Sequence, residues 1–337
     1  MPAQQIKLNL AGVLPSVKSK KIVHGGKVKL LHLREKFGDS WKNFNIAYFV
    51  SSGLPFAPNI WIRIYRLFGI KVVWNQNGVA YPALYSPQIV KRINNLYKSM
   101  DLADYVIYQT RFTKKCADKF IGTYKGASIV LINPVDTEYF VPAKNLLPKK
   151  PLVIIMAGNH FESRERMRVS LSAIRILQER GVTVKLIIIG QPENYTDEEI
   201  KRAGLENWVE KKGIFRQEEA PSLYQTAHIL LHLKYLDPCP TVVLEALSCG
   251  LPVIGSASGG LPEMVDESSG ILIPIKEGFG SLCYPKPEDV ADAFIRILKN
   301  LPEFSMNARI GAVNKFDVKK WLGAHEIIFK KLCQKYQ

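Results

Sequence analysis

Two carboxylates in the second half of the chain, Asp237 and Glu245, have the residue type and the surroundings to bind hydroxyl groups of a ligand. They lie in the stretch DPCPTVVLEALSCGLPVIGSASGGLPEMV, from Asp237 to Val265. The valines, alanine and leucine around Glu245 would form the buried side of a helix, which puts this acid close to an apolar surface. The alternative is a solvated or capping carboxylate near the helix start, where it complements the helix dipole.

The residues around these two acids favour a nucleotide-like ligand. Pro238 and Pro240 precede the helical pattern, and Thr241 can cap or begin the helix. The sequence GGLPE follows at 259–263, and its glycines allow the backbone to approach a ligand closely. A helix N-terminus beside such a turn suits an anionic ligand. Glu245 would then accept hydrogen bonds from ribose hydroxyls.

Alternating strand and helix patterns predict the elements that position these residues. Strand patterns lie at 6–12, 45–52, 71–77, 105–110 and 128–133, and the alternation restarts at 152–158 after a segment rich in proline and lysine. Such alternation is typical of parallel α/β sheets, and a length of 337 residues favours two domains. We therefore predict two Rossmann-like, doubly wound α/β domains, with ligands bound beyond the carboxyl ends of the strands in the cleft between them.

Composition narrows the classes of partner. The formal net charge of +16 predicts attraction to an anionic partner, although a solvated basic face accounts for most lysines. No helix-turn-helix, RNA-recognition or zinc-finger signature supports specific nucleic-acid binding. The five scattered cysteines suit a reducing cytoplasm and argue against structural zinc. Neither a membrane span nor a signal peptide is predicted, so we expect a cytoplasmic protein.

The block from Asp237 to Val265 resembles the donor-binding block of the retaining family-four glycosyltransferases. In that family two acids separated by seven residues precede an alanine-rich helix, a C-G-x-P turn and a G-G-x-P-E loop. Gly25 and Gly26 resemble its glycine loop, and the segment from Asn133 to Pro142 resembles its interdomain connector. The resemblance covers nearly the whole chain. It implies a GT-B fold, with an acceptor-side domain at 1–142, a nucleotide-sugar donor domain at 143–316 and a helix at 317–337 that crosses back.

The resemblance also implies roles for individual residues. Glu245 would hold the ribose of the donor, and Asp237 would contact the transferred sugar. Phe215, in GIF after a strand, would meet the nucleotide base, with ordinary core as the alternative. Gly25 and Gly26 would approach the diphosphate or the acceptor, and a plain turn is an equal alternative. The residues that would face the sugar and phosphates are Pro238, Cys239, Pro240 and Thr241.

One departure from the family pattern concerns the diphosphate. The family has an arginine and a lysine after the first strand of the second domain, which stabilise the departing phosphate. Asn159 and Glu165 stand at those positions here. Arg164 and Arg166 flank Glu165, so a shift of one residue could bring a guanidinium to the phosphates. Alternatively, RERMR is the exposed first turn of a helix, with Glu165 complementing the dipole.

A second departure is Asn77, which precedes Gly78 where the family commonly has a histidine. Asparagine can hydrogen-bond to a sugar but cannot titrate, and an Asn-Gly pair is also a common turn. Among the histidines, His160 directly follows a predicted strand and is placed at the acceptor and phosphate side of the site. We predict structural roles for His228 and His232.

These observations predict an enzyme that transfers a sugar, with retention of configuration, from a nucleoside diphosphate-sugar to a glycan or lipid-linked acceptor. We expect no metal ion and no other cofactor. The alternative is a GT-B protein that has lost turnover and binds nucleotide-sugars or serves as a partner subunit, because the basic pair is missing. The positive charge further predicts peripheral contact with an anionic membrane surface on the inner face of the membrane.

Overall fold

The computed structural model describes residues 5–11, 25–144, 151–158, 163–191 and 193–334. The chain divides into two compact units: Met1–Pro134 with Phe279–Ser281 and Val318–Gln337, and Val135–Gly278 with Leu282–Asp317. Residues 135–142, which we assigned to the first domain from the sequence, lie in the second unit. Arg309 holds this segment there, since its guanidinium donates to the carbonyl oxygens of Thr137 and Phe140 at 2.8 Å each.

The first unit contains a five-stranded parallel sheet with the order β1-β2-β3-β4-β5. Its strands are β1 (Leu8–Asn9), β2 (Ile46–Val50), β3 (Lys71–Gln76), β4 (Tyr105–Tyr108) and β5 (Ala127–Val130). Its helices are α1 (Gly25–Phe37), α2 (Pro58–Leu67), α3 (Pro87–Tyr97), α4 (Arg111–Phe120) and, from the end of the chain, α11 (Val318–Gln334).

Both faces of this sheet are covered, as expected for a doubly wound fold. Successive strand residues point to opposite faces, so Tyr48 of β2 packs in a cluster with residues of α1 and α11, including Leu30 and Phe329. The neighbouring residue Phe49 joins a second cluster, which includes Ile62 of α2 and residues of α4. The strands are therefore apolar on both sides, which is typical of a parallel sheet.

The second unit contains a six-stranded parallel sheet with the order β11-β10-β9-β6-β7-β8. Its strands are β6 (Leu152–Ala157), β7 (Val184–Ile189), β8 (Val209–Gly213), β9 (Ile229–His232), β10 (Val253–Ala257) and β11 (Gly270–Pro274). Its helices are α5 (Arg164–Glu179), α6 (Thr196–Ala203), α7 (Ala220–Tyr224), α8 (Thr241–Ser248), α9 (Pro287–Leu298) and α10 (Leu301–Lys315). The prediction of two α/β units with parallel sheets is confirmed. The strand order reverses between β6 and β9, and ligands in such sheets bind at this switch point.

Glycines let the backbone pack closely at the carboxyl ends of β6, β7 and β8. Gly158, Gly190 and Gly213 have φ values of +106°, +107° and +66°. The amide of Gly190 donates to the carbonyl oxygen of Gly213 at 2.8 Å. A Cβ atom on Gly190 would lie 2.0 Å from the carbonyl oxygen of Gly158. No side chain fits at Gly190 unless the backbone of the neighbouring strand end moves.

We expect Gly190→Ala to destabilise the second unit much more than Gly204→Ala. Both glycines have a positive φ, but a Cβ atom on Gly204 meets nothing within 4 Å. Gly204→Ala therefore carries only the left-handed backbone penalty, about 1 kcal/mol, whereas Gly190→Ala adds a backbone clash and should cost about 3 kcal/mol or more. Urea unfolding of both variants measures the difference, and equal losses of stability would contradict it.

Candidate functional site

Asp237 lies in the loop after β9, at the switch point of the second sheet, and its backbone is tightly held. Leu236, directly before it, has a left-handed φ of 49°. The amide of Gly260 donates to the carbonyl oxygen of Asp237 at 2.9 Å, and a Cβ atom on Gly259 would lie 2.5 Å from the same oxygen. The Gly-Gly turn thus packs directly against the backbone of Asp237, which a side chain at Gly259 would prevent.

The carboxylate of Asp237 is buried beside two basic side chains. Its Oδ2 atom lies 3.2 Å from Nζ of Lys234 and 3.4 Å from Nε2 of His232. Burial alone raises the pKa of Asp237, but the charge of Lys234 and the contact with His232 outweigh it, so the pKa lies well below its usual range. Asp237 is therefore an ionised carboxylate, which can only accept hydrogen bonds.

The carboxyl group of Glu245 is buried in a different environment. It lies in the second turn of α8, where the hydroxyl of Tyr224 donates to Oε2 at 2.9 Å and the amide of Gln217 donates to Oε1 at 3.2 Å. Burial raises the pKa of Glu245 to about 7, although the bonds from Tyr224 and Gln217 act in the opposite direction. The structure thus shows a buried carboxyl group, and the solvated or capping alternative is wrong.

The remaining residues predicted on the donor side surround α8 and the strand end of β8. Pro240 directly precedes α8 without a side-chain cap, and Thr241 begins the helix. Pro238 is half-buried, whereas Cys239 and Pro240 are buried. Phe215 is half-buried just after β8, two residues before Gln217, whose amide contacts Glu245. The chain therefore brings the segment after β8 to the carboxyl group of Glu245.

RERMR forms the first turn of α5, which begins at Arg164. The hydroxyl of Ser163 caps this helix by accepting from the amide of Glu165 at 3.0 Å. Arg164 pairs with two acids of α6: its Nε lies 2.7 Å from Oε1 of Glu199, and its guanidinium also contacts Glu198. The structure thus ties the guanidinium of Arg164 to α6.

The other predicted site residues of this region are Asn159, His160 and Arg166. Asn159 and His160 lie outside the described residues. Arg166 is 4% exposed, which is unusual for a charged residue. Arg168, two positions further along α5, binds the carboxylate of Glu199 with two hydrogen bonds, of 3.0 and 3.1 Å. Glu199 is therefore shared by the arginines at both ends of RERMR.

Asn77, in the first unit, belongs to a polar cluster at the carboxyl ends of the strands. The buried ammonium of Lys29 donates to Oδ1 of Asn75 at 2.6 Å, of Asn77 at 2.9 Å and of Asn133 at 3.2 Å. The backbone amide of Asn77 also donates to Oγ of Ser51 at 2.9 Å. This asparagine is thus more than a turn residue. Gly25 and Gly26 form the start of α1, the helix that carries Lys29.

Sequence reasoning missed several partners in these sites. His232 was assigned a structural role, yet its ring lies beside Asp237. Its position at the carboxyl end of a predicted strand was a usable signal, because ligand-facing residues come from such ends. Lys234, two residues later, carries the same signal. Tyr224 and Lys29 had no local signal, since their partners are distant in the sequence.

The described part of the chain holds neither a metal cluster nor a membrane-spanning helix. Within ranges 5–11, 25–144, 151–158, 163–191 and 193–334, no three His, Cys, Asp or Glu side chains gather as a metal site. In the same ranges, no helix combines the length and the apolar character needed to cross a bilayer.

We expect Glu245→Gln to change the pH dependence of stability. The pKa of Glu245 is about 7 in the folded protein against an ordinary value of 4.5. Its contribution to stability is therefore complete below about pH 4.5 and is lost as the pH rises through about 7. Relative to Glu245→Gln, the wild type should lose on the order of 3 kcal/mol across this window.

Urea unfolding at pH values from about 5 to 8 measures this loss. Glu179→Gln, which changes an exposed glutamate of α5, is the control and should follow the wild-type profile. Parallel profiles for the wild type and Glu245→Gln would show that the carboxyl group is already ionised at low pH.

Comparison with known proteins identifies relatives of both the sequence and the fold. WcaL of Escherichia coli K12, named as a putative colanic acid biosynthesis glycosyltransferase, is 30% identical over 149 residues, which cover 42% of this chain and 36% of that protein. A phosphatidylinositol N-acetylglucosaminyltransferase subunit of Arabidopsis thaliana is 25% identical over 172 residues, or 50% of this chain and 36% of the relative. The chain thus matches little more than a third of the length of these curated relatives.

The structural comparison covers nearly the entire chain. Alr3699/HepE of Anabaena, solved in complex with UDP and glucose, superposes with a TM-score of 0.71 over 96% of this chain and 98% of that protein, at 15% identity. At this identity the likeness shows the fold alone. The predicted fold class, GT-B with two Rossmann-like α/β domains, is confirmed.

The family assignment comes from the sequence of the second unit. The sequence model of Glycosyl transferases group 1 matches residues 139–312, just over half of the chain. This range contains Asp237, Glu245 and the whole block that carries the resemblance. The chain therefore belongs to the glycosyl transferases group 1 family.

Proposed function

We propose that this protein transfers a sugar from a nucleoside diphosphate-sugar to a glycan or lipid-linked acceptor, with retention of configuration. One observation carries the proposal: a chain of the glycosyl transferases group 1 family places two buried carboxyl groups, Asp237 and Glu245, at or beside the switch point of its second sheet. This is the position at which open α/β sheets bind ligands. The geometry of each carboxyl group suggests a different role.

Asp237 is suited to the sugar that is transferred. Its carboxylate stays ionised because Lys234 and His232 lie within 3.4 Å. An ionised carboxylate accepts strong hydrogen bonds from hydroxyl groups, and it stabilises positive charge that develops on the sugar ring as the phosphate leaves.

Glu245 is suited to the ribose of the donor. Each carboxylate oxygen has room for more than one hydrogen bond, so the bonds from Tyr224 and Gln217 leave capacity for ribose hydroxyls. Ribose hydroxyls bind the ionised form of Glu245 best, since a carboxylate is an acceptor only. Donor binding should therefore lower the pKa of Glu245 from about 7.

The other predicted residues complete the proposed site. Phe215 would contact the base, and the backbone from Pro238 to Thr241 would face the sugar and the phosphates. Gly25, Gly26 and Asn77 would serve the acceptor. We accordingly propose that the first unit forms the acceptor-side domain and that the second unit, which begins at Val135, forms the donor domain. No metal ion or other cofactor takes part in this proposal, so EDTA should leave transfer unchanged.

The names of relatives support the donor and acceptor classes. HepE is described in complex with UDP and glucose, which supports a nucleoside diphosphate-sugar as donor. The phosphatidylinositol N-acetylglucosaminyltransferase subunit has a lipid in its name, and WcaL is named for colanic acid biosynthesis. We also propose that the protein is cytoplasmic and peripheral at the inner face of the membrane, because its net charge of +16 attracts anionic lipid.

One observation favours a second candidate function, a GT-B protein that binds nucleotide-sugars without turnover. Arg164 is held by Glu198 and Glu199 of α6, and Glu165 carries the wrong charge for a phosphate site. A thermal-shift screen across nucleoside diphosphate-sugars identifies a donor, because a ligand that binds the folded state raises the melting temperature. Release of nucleoside diphosphate from that donor indicates the enzyme, whereas saturable binding without release indicates the binder.

We expect substitutions of the two acids to have different kinetic effects. Glu245→Ala should weaken donor binding about 10- to 100-fold, the range for a hydrogen bond to a charged group. Asp237→Asn should leave nucleoside diphosphate affinity within about threefold but lower transfer by about 100-fold or more, because its contacts are to the sugar.

Calorimetry with nucleoside diphosphate and steady-state transfer assays measure the two effects. Glu179→Gln serves as the control and should match the wild type in both assays. Wild-type donor affinity in Glu245→Ala would disprove the role of Glu245.

A further inference from the structure

The helix α2 of the first unit has two apolar faces, and the described residues cover only one of them. Ile62 is buried in the core beneath the sheet. Tyr65 packs edge-on against Phe44, with ring centroids 5.3 Å apart. The opposite side carries large apolar side chains that are exposed to solvent. The exposed fractions are 55% for Ile60, 44% for Trp61, 85% for Leu67 and 78% for Phe68.

These exposed residues form one continuous stripe along the helix. Positions 60, 61, 64, 67 and 68 follow the spacing of a single helical face, and Ile64 lies half-buried in its middle. Phe56, which precedes the helix, is 94% exposed. We call residues 60, 61, 64, 67 and 68, together with Phe56, the outer stripe. Isolated exposed apolar residues are ordinary on protein surfaces, but a continuous apolar face marks a binding surface.

The segment of sequence that contains the outer stripe carries charges of one sign. The chain has no aspartate or glutamate between Asp39 and Asp101. Arg63 is exposed and lies along one edge of the stripe, whereas Arg66 lies on the other side of the helix and donates to the carbonyl oxygen of Leu102 at 3.2 Å. The next helix, α3, packs like α2 against the short helix Lys98–Leu102. The basic residues of this acid-free segment are Lys42, Arg63, Arg66, Lys71, Lys91, Arg92 and Lys98.

We propose that the outer stripe of α2 docks the protein on an anionic lipid membrane. The proposal rests on the membrane contact in the proposed function and names the surface that makes it. The helix lies in the plane of the interface, with Trp61, Leu67 and Phe68 among the upper acyl chains. Arg63 lies at the level of the lipid phosphates, an arrangement typical of interfacial amphipathic helices.

The dimensions and composition of α2 agree with this orientation. Ten residues give a helix about 15 Å long, too short to span a bilayer. Its apolar face combines aromatic and aliphatic side chains with a flanking arginine, and this combination anchors helices at the membrane interface. The absence of acids in the surrounding segment removes the repulsion that an anionic surface would otherwise meet. Charge complementarity thus favours an anionic lipid surface.

Vesicle flotation of the full-length chain tests the proposal. The vesicles contain phosphatidylcholine with or without phosphatidylglycerol, at low and high salt. Trp61→Ser combined with Phe68→Ser removes apolar contacts and keeps the charges, and should weaken binding to anionic vesicles by about 10-fold or more. Arg63→Gln should weaken it about fivefold at low salt and reduce its salt dependence.

A matched control replaces two exposed apolar residues elsewhere, Met306→Ser and Ile327→Ser, whose side chains are 57% and 71% exposed. This control should bind like the wild type. Melting temperature and nucleoside diphosphate affinity should be unchanged in all three variants, because the substituted side chains are exposed and lie outside the proposed donor site. If the α2 variants lose vesicle binding but keep the wild-type melting temperature and nucleotide affinity, the loss comes from the membrane-binding surface of α2.

The outcomes separate the two proposals. Failure of the wild type to bind anionic vesicles at low salt overturns both the membrane contact and the role of α2. Undiminished vesicle binding by the Trp61 and Phe68 variant shows that the protein meets the membrane elsewhere, and equal binding to neutral vesicles refutes the anionic requirement. A dimer that these substitutions abolish, seen by sedimentation velocity, would assign the outer stripe to a second copy of the chain.

Discussion

Close backbone contact at the carboxyl end of the second sheet is the constraint on which the donor-side site depends. Gly190 lies so close to the carbonyl oxygen of Gly158 that no Cβ atom fits between them, and a Cβ atom on Gly259 would lie 2.5 Å from the carbonyl oxygen of Asp237. These contacts bring neighbouring strand ends and the loop after β9 into one compact layer. The layer holds the backbone of the site in a fixed position, and a binding site needs this kind of preorganisation.

The second unit also buries two acids, whose energetic cost is offset by neighbouring side chains. A buried carboxylate without compensation is strongly unfavourable. Asp237 is compensated by the charge of Lys234 and stays ionised, whereas Glu245 has only neutral donors in Tyr224 and Gln217 and holds its proton to about pH 7. Two carboxyl groups that are near neighbours in the sequence thus have different protonation states because their partners differ.

The sequence predicted the fold and the main acids, because these depend on local patterns. Alternating strand and helix periodicity is set by which residues face the sheet, and it predicted both parallel sheets. The family motif located Asp237 and Glu245. The pairing of Arg164 with Glu198 and Glu199 could not be predicted, because it depends on how α5 and α6 pack across a long stretch of sequence. The contact of Lys29 with Asn133 crosses most of the first unit for the same reason.

The helix α2 shows a further limit of periodicity. Its sequence NIWIRIYRLF has apolar residues on two sides, so the pattern predicts a helix without indicating which side faces the core. The structure resolves the choice, because Ile62 fits between the helix and the sheet while Trp61 and Leu67 remain outside. A helix that needed only to cover the sheet would carry polar residues on its outer side. Retaining large apolar groups there adds an aggregation risk, and a surface that is occupied in the cell removes that risk.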